Sequence, residues 1–104
     1  MEIDLSKKEL DLYFPPTWKH KNLLCTQIGK YSITSYKISN KISDKIKELV
    51  GTDIILTDGT AGIGGNAISF CKNFKQVIAI EIDKTHCNFL DNNLKIYNLN
   101  NYRI

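Results

Sequence analysis

Nowhere in its 104 residues does this sequence carry an apolar run near the roughly 18 residues needed to cross a bilayer, so a membrane-spanning helix is excluded. The start is acidic and poor in leucine, unlike a secretory signal, which predicts an intracellular chain, cytoplasmic or nuclear. Cysteine is scarce. Cys25, Cys71 and Cys87 form no CxxC pair and no even set, which argues against a disulfide framework and for reduced thiols. Histidine is scarcer still: His20 and His86 stand at no metal-ligand spacing, so no metal is expected and both read as surface residues. The basic excess is slight, 14 against 11, and a net charge of +3 does not by itself argue for nucleic acid. Arginine is nearly missing. Thirteen of the fourteen basic residues are lysine, beside ten asparagines and fifteen isoleucines, a skew that reads as codon bias in an AT-rich genome. What remains is an ordinary globular composition, 42% hydrophobic and 24% charged, long enough for one domain at most.

The chain carries no internal repeat and no low-complexity segment. Residues 1–30 show no sustained period and read as an irregular N-terminal extension, with Pro15-Pro16 stopping any helix because each proline lacks an N–H and fixes φ. Tyr13-Phe14-Pro15-Pro16-Thr17-Trp18-Lys19-His20-Lys21 mixes aromatics with basic side chains. It is read as a hydrophobic anchor in preference to a base-stacking surface. From Thr34 the pattern sharpens. Thr34 or Ser35 can cap a helix, whose apolar stripe would be Ile38, Ile42, Ile46 and Leu49, and Gly51 ends it. Asp53 to Asp58 reads as a strand buried on both faces, as in a parallel sheet. A glycine-rich turn follows, then a helix from about Asn66 to Asn73 and a second buried strand, Val77–Ile80, running into Glu81. Lys84 to about Asn98 reads as a third helix with Cys87, Leu90, Leu94 and Tyr97 on one stripe, and Cys71 and Cys87 as core fillers. Tyr102-Arg103-Ile104 would begin a third strand. Strand, glycine turn, helix, strand, acid, helix is a βαβα run and predicts a parallel sheet.

The chemistry lies in Asp58-Gly-Thr-Ala-Gly62-Ile-Gly64-Gly65-Asn66. Glycines at a strand-to-helix turn let the backbone approach a ligand without an intervening Cβ and supply positive φ. Gly62-x-Gly64-x-x-Ala67, with Glu81 downstream, also fits a dinucleotide fingerprint. Asp58 shifts the balance, since a dinucleotide strand normally runs apolar up to its first glycine. The acid-x-x-x-Gly-x-Gly spacing resembles motif I of class I S-adenosylmethionine-dependent methyltransferases. That cofactor carries a sulfonium and an ammonium, so a carboxylate beside it is favourable, and it has no phosphate needing a helix N-terminus. Glu81 can accept hydrogen bonds from both ribose hydroxyls.

Asp58-Gly-Thr-Ala-Gly-Ile-Gly-Gly-Asn-Ala-Ile-Ser-Phe70 and Val77-Ile-Ala-Ile-Glu-Ile-Asp83 together resemble the RNA cap guanine-N2 methyltransferases, the trimethylguanosine synthases. Upstream, Tyr31-Ser-Ile-Thr-Ser-Tyr-Lys-Ile38 is similar to that family's aromatic-Ser-Val-Thr-Pro-Glu-Lys-Ile segment. The resemblance spans roughly Ile28 to Leu99, about two thirds of the chain, with Ser35 in place of proline and Glu81 in place of the usual aspartate. It implies an incomplete Rossmann-like class I methyltransferase fold, a parallel sheet with flanking helices, in which residues 31–104 form the N-terminal, cofactor-binding half. It implies S-adenosylmethionine as cofactor, held by Thr34, Asp58, Gly62, Gly64, Gly65, Asn66 and Glu81. Thr34 is also read as a helix cap, and Asn66 equally as a cap or a contact to the methionine carboxylate. The implied partner is capped RNA, the implied reaction methylation of N2 of a 7-methylguanosine cap. The family's Asp-Pro-Pro-Trp motif is not found in this sequence, so no catalytic residue is assigned. Another RNA base as acceptor, a non-catalytic binding remnant and an NAD-binding fragment stay open as alternatives.

Overall fold

The computed structural model describes residues 2–104. Its centre is a three-stranded parallel sheet in the order β3 (Ile55–Asp58), β4 (Gln76–Ala79), β5 (Tyr102–Arg103), with Asp58 opposite Ala79 and Val77 opposite Tyr102. The crossovers are helices α4 (Gly65–Asn73) and α5 (Lys84–Ile96), so the βαβα reading is what the chain adopts. Ala67, Ile68, Phe70 and Cys71 of α4 and Leu90 and Leu94 of α5 share one core with Val77 and Ala79.

That core covers a single face of the sheet. Along β3 and β4 burial alternates, leaving Ile55, and Ile80 just past the end of β4, more than half exposed (59% and 53%). The strands are therefore not buried on both faces, contrary to the expectation from their apolar runs. Among the described residues nothing packs on the second face, and run composition cannot report a missing layer.

Helix α3 (Tyr36–Val50) lies where predicted, from Ser35 at its start to Gly51 in a left-handed conformation at its end (φ 78°). Its orientation is only partly the predicted one. Ile46 packs against the core and Ser39 and Ser43 are fully buried against α4, whereas Ile38, Ile42 and Leu49 face solvent, Leu49 at 70% exposure. The seam is a hydrogen-bonded chain: Ser43 Oγ pairs with Ser69 Oγ at 2.6 Å, Ser69 donates to Asn40 Oδ1 at 2.8 Å, and Lys47 Nζ donates to Asn73 Oδ1 at 2.9 Å. Small polar side chains bring two helices close and satisfy one another, which decides the packing over an apolar stripe on the far side.

The first 30 residues are not irregular either. Strand β1 (Glu2–Ile3) pairs antiparallel with β2 (Cys25–Thr26). Helix α1 (Lys7–Tyr13) starts at a reciprocal cap, in which Ser6 Oγ accepts the Glu9 N–H and Glu9 Oε1 accepts the Ser6 N–H. It stops before Pro15, as the prolines require. The anchor is Phe14, wholly buried, and not Trp18, which is 89% exposed with the Lys19 ammonium 4.9 Å from its ring centre. Helix α2 (Gln27–Ser32) follows and runs across residues 30 and 31. Asn93, fully buried on α5, exchanges bonds with the Leu24 N–H and C=O and donates to the Ile63 carbonyl, tying this segment to the glycine turn.

Candidate cofactor site

The turn between β3 and α4 is fixed at both ends. Ile80 N–H donates to the Asp58 carbonyl at 2.8 Å and Ala61 N–H to the Ile80 carbonyl at 3.0 Å, closing the turn onto the end of β4. Gly62 (φ 59°) and Gly64 (φ 117°) occupy the left-handed region, where a side chain is strained. Gly65 is required for a different reason. A Cβ there would stand 2.6 Å from the Thr34 carbonyl oxygen and 3.0 Å from the Thr34 nitrogen. Its absence lets the segment entering α3 lie on the first turn of α4.

Glu81 closes the other side. Its Oε1 accepts the Gly62 N–H at 2.8 Å and its Oε2 accepts the Asp83 N–H at 2.9 Å. Each oxygen keeps a lone pair for a further donor. Asp83 caps α5 by accepting the His86 N–H at 3.0 Å, and this bond holds its carboxyl below the usual range.

Asp58 is only 7% exposed at the end of β3. Its Oδ1 accepts the Thr60 N–H at 3.3 Å, and its Oδ2 is buried with no partner among the described residues. Burial pushes this carboxyl above its ordinary value, the Thr60 bond pulls it back in part, and the charge of Glu81 adds to the rise. An orphaned acceptor beside a second carboxylate suits a cationic donor and opposes a phosphate. The donor set thus fits S-adenosylmethionine.

Asn66 lies in the first turn of α4, its Oδ1 accepting from Ser39 Oγ at 2.9 Å and its Nδ2 facing Thr34 Oγ1 at 3.4 Å. Neither residue caps a helix: Gly64 begins α4 and Ser35 begins α3.

These elements enclose a cavity of about 280 Å³. Thr34, Gly62, Gly65, Asn66 and Glu81 line it; Asp58 and Gly64, the remaining two of the seven expected residues, are not among its lining residues. Sequence reasoning missed Ile28, Ser32 and Ile33, which form the α2 side, and His86. His86 is buried (9% exposed), not at the surface, and bonds Thr26 at 2.7 Å. His20 also turns inward, with Nε2 donating to the Pro15 carbonyl at 2.8 Å. The signal for His86 was present: it precedes Leu90 by four residues and Leu94 by eight, on the buried stripe of α5. For α2 the signal was the Thr26 cap, whose hydroxyl accepts the Gly29 N–H.

A parallel sheet with a glycine turn after its first strand and an acid after its second defines an α/β ligand-binding fold. Within that class, residues 53–104 match the model of the RNA cap guanine-N2 methyltransferases. The chain belongs to that family. The matched segment is the C-terminal half of the chain, so the Tyr31–Ile38 motif lies outside it. Over 80 residues the chain is also 31% identical to an uncharacterized protein of Acanthamoeba polyphaga mimivirus, a match covering 77% of this chain and 31% of that protein. The chain therefore spans about a third of the length of this curated relative. Among the described residues no helix is long and apolar enough to cross a membrane, and no cluster of three or more His, Cys, Asp or Glu could hold a metal.

Proposed function

We propose that this chain is the cofactor-binding, N-terminal part of an S-adenosylmethionine-dependent methyltransferase that modifies the exocyclic N2 of a 7-methylguanosine RNA cap. The family match supports the reaction class, and the cavity supports the division of labour. One observation carries the cofactor assignment: Glu81, the glycine turn, Thr34 and Asn66 converge on one cavity, and the strand that leads into that turn ends on the buried Asp58 carboxylate, whose Oδ2 has no partner among the described residues.

When bound, the cofactor supplies an electrophilic methyl group. The chain's own residues bind and orient. Glu81, held by two backbone amides, offers its remaining lone pairs to a vicinal diol. The Gly62–Gly65 backbone approaches without side chains in the way. Asp58 supplies negative potential for the sulfonium and ammonium groups, strengthened because it is buried. Asn66, oriented by Ser39, faces the same cavity. Methyl transfer of this kind depends on proximity and orientation more than on acid–base chemistry.

Titration calorimetry of the folded chain with S-adenosylhomocysteine tests the assignment. A saturable one-site binding heat is expected. A folded sample giving no heat with this ligand, or one that binds NAD instead, would overturn it.

A further inference from the structure

His86 lies outside the motif that carries the cofactor residues, yet it lines two cavities: the one just described and a neighbour of about 350 Å³. Its Nε2 is 2.7 Å from Thr26 Oγ1, a contact spanning 60 residues of chain. Thr26, itself 4% exposed, starts α2, and its Oγ1 accepts the Gly29 N–H at 2.9 Å. Among the described residues the hydroxyl has no other partner. A peptide N–H can only donate, so it occupies one lone pair of Oγ1. The hydroxyl hydrogen then finds its acceptor in the imidazole when Nε2 is bare and the proton sits on Nδ1, whereas the opposite tautomer leaves that hydrogen without a partner. Gly29 in turn rests on the glycine turn, since a Cβ there would stand 3.2 Å from two side-chain carbons of Ile63. A continuous contact therefore runs from α5 through His86, Thr26 and Gly29 to Ile63, and α2 is the wall of the cavity it crosses.

We propose that His86 is a positioning residue for the cofactor cleft: through the Thr26 hydroxyl it holds α2 against the glycine turn and so sets the width of the cleft. The role rests on the cofactor reading given above. The charged groups sharing those cavities with the ring are Asp83 and Glu81, both carboxylates. Protonating the ring gains their attraction but turns Nε2–H toward Thr26 Oγ1, and the buried hydroxyl hydrogen loses its acceptor.

The test combines NMR and calorimetry on the whole chain. Nitrogen-15 spectra of the His86 ring at neutral pH are expected to show bare Nε2 and protonated Nδ1 in the unaltered chain and in Thr26→Ser. Thr26→Val should speed exchange of the Gly29 amide and weaken S-adenosylhomocysteine binding about tenfold, while Thr26→Ser stays within about twofold. His86→Phe should match Thr26→Val, and the double variant should be no weaker than either. A ring protonated at Nε2 at neutral pH, or Thr26→Val indistinguishable from the unaltered chain, would overturn the proposal. Absence of ligand binding by the unaltered chain would overturn the cofactor reading and the positioning role with it. The ring spectra and Gly29 exchange would then still show whether the clasp itself exists.

Discussion

Glu81 Oε1 accepts the Gly62 N–H across 19 residues of sequence while Oε2 accepts the Asp83 N–H, so one carboxylate spans the glycine turn and the start of α5. Aspartate, the residue usual in the family resemblance, is one methylene shorter and would have to choose between these partners. Glu81→Asp is therefore expected to weaken S-adenosylhomocysteine binding although it keeps the charge. Loss of one charge-assisted bond predicts about a tenfold rise in Kd by calorimetry. Affinity equal to that of the unaltered chain would show that the bond to Gly62 does not prepare the site.

Asp58→Asn separates stability from binding. Asp58 titrates higher in the folded chain than its ordinary 3.8, because burial disfavours the charge. The folded state thus holds a proton that the unfolded state releases, and stability falls as pH rises through the window from 3.8 to the raised folded value. Above that window the ligand-free chain carries a buried, unpartnered charge. The neutral amide of the variant removes it. Thermal melts should show the variant more stable than the unaltered chain at neutral pH by about 1 kcal/mol, with the acid-side slope flattened. Ligand affinity should drop about 10- to 100-fold, since the buried charge of Asp58 is lost and only Glu81 remains to attract the cation. A variant that loses stability at neutral pH would mean that the carboxylate is already compensated.

Glycine substitutions should grade by their surroundings. Gly65→Ala pushes a methyl into the Thr34 backbone, which cannot swing away as a flexible side chain would. A loss of about 1–3 kcal/mol is expected in chemical denaturation, together with weakened ligand binding. Gly59 has no positive φ and open space around its Cβ direction, so Gly59→Ala should be silent within about 0.5 kcal/mol. Equal costs at the two positions would count against close approach as the reason for Gly65.

The order of β3, the glycine turn, α4, β4, Glu81 and α5 was legible because each carries a local signal: an apolar run, a glycine cluster, a helical period. The N-terminal segment was not, because its elements are short and stabilised at long range. Phe14 joins a core built by α4 and α5, and Leu24 is held by Asn93 on α5. Of the expected site, the five residues on the cavity wall were marked by motif or resemblance, while α2 and His86 carried only a helix cap and a buried-stripe spacing, which mark structure and not a site. A chain trimmed to residues 31–104 should consequently fail to melt cooperatively, and Phe14→Ala should cost about 3–5 kcal/mol. Cooperative unfolding of the trimmed chain at the unaltered midpoint would show the first 30 residues to be dispensable.

Helix α3 offers the sharpest contrast between pattern and packing. Hydrophobic periodicity selects Ile38, Ile42, Ile46 and Leu49 as the inner face; the structure keeps Ile46 against the core and turns the other three outward in favour of Ser39 and Ser43. Periodicity counts transfer free energy only. It gives no weight to how closely two backbones can approach when serines meet, or to the buried Ser69, which needs the hydrogen bonds that Ser43, Asn40 and Asn73 share with it. The two accounts predict opposite results. Ile38→Gln, Ile42→Gln and Leu49→Gln should each change stability by no more than about 0.5 kcal/mol, as exposed positions do. Ser43→Leu, which raises helix propensity and apolarity, should instead destabilise by about 1–3 kcal/mol by forcing α3 off α4 and stranding Ser69. Chemical denaturation of these four variants decides the matter. Large losses at the three apolar positions with a neutral Ser43→Leu would place the apolar stripe inward.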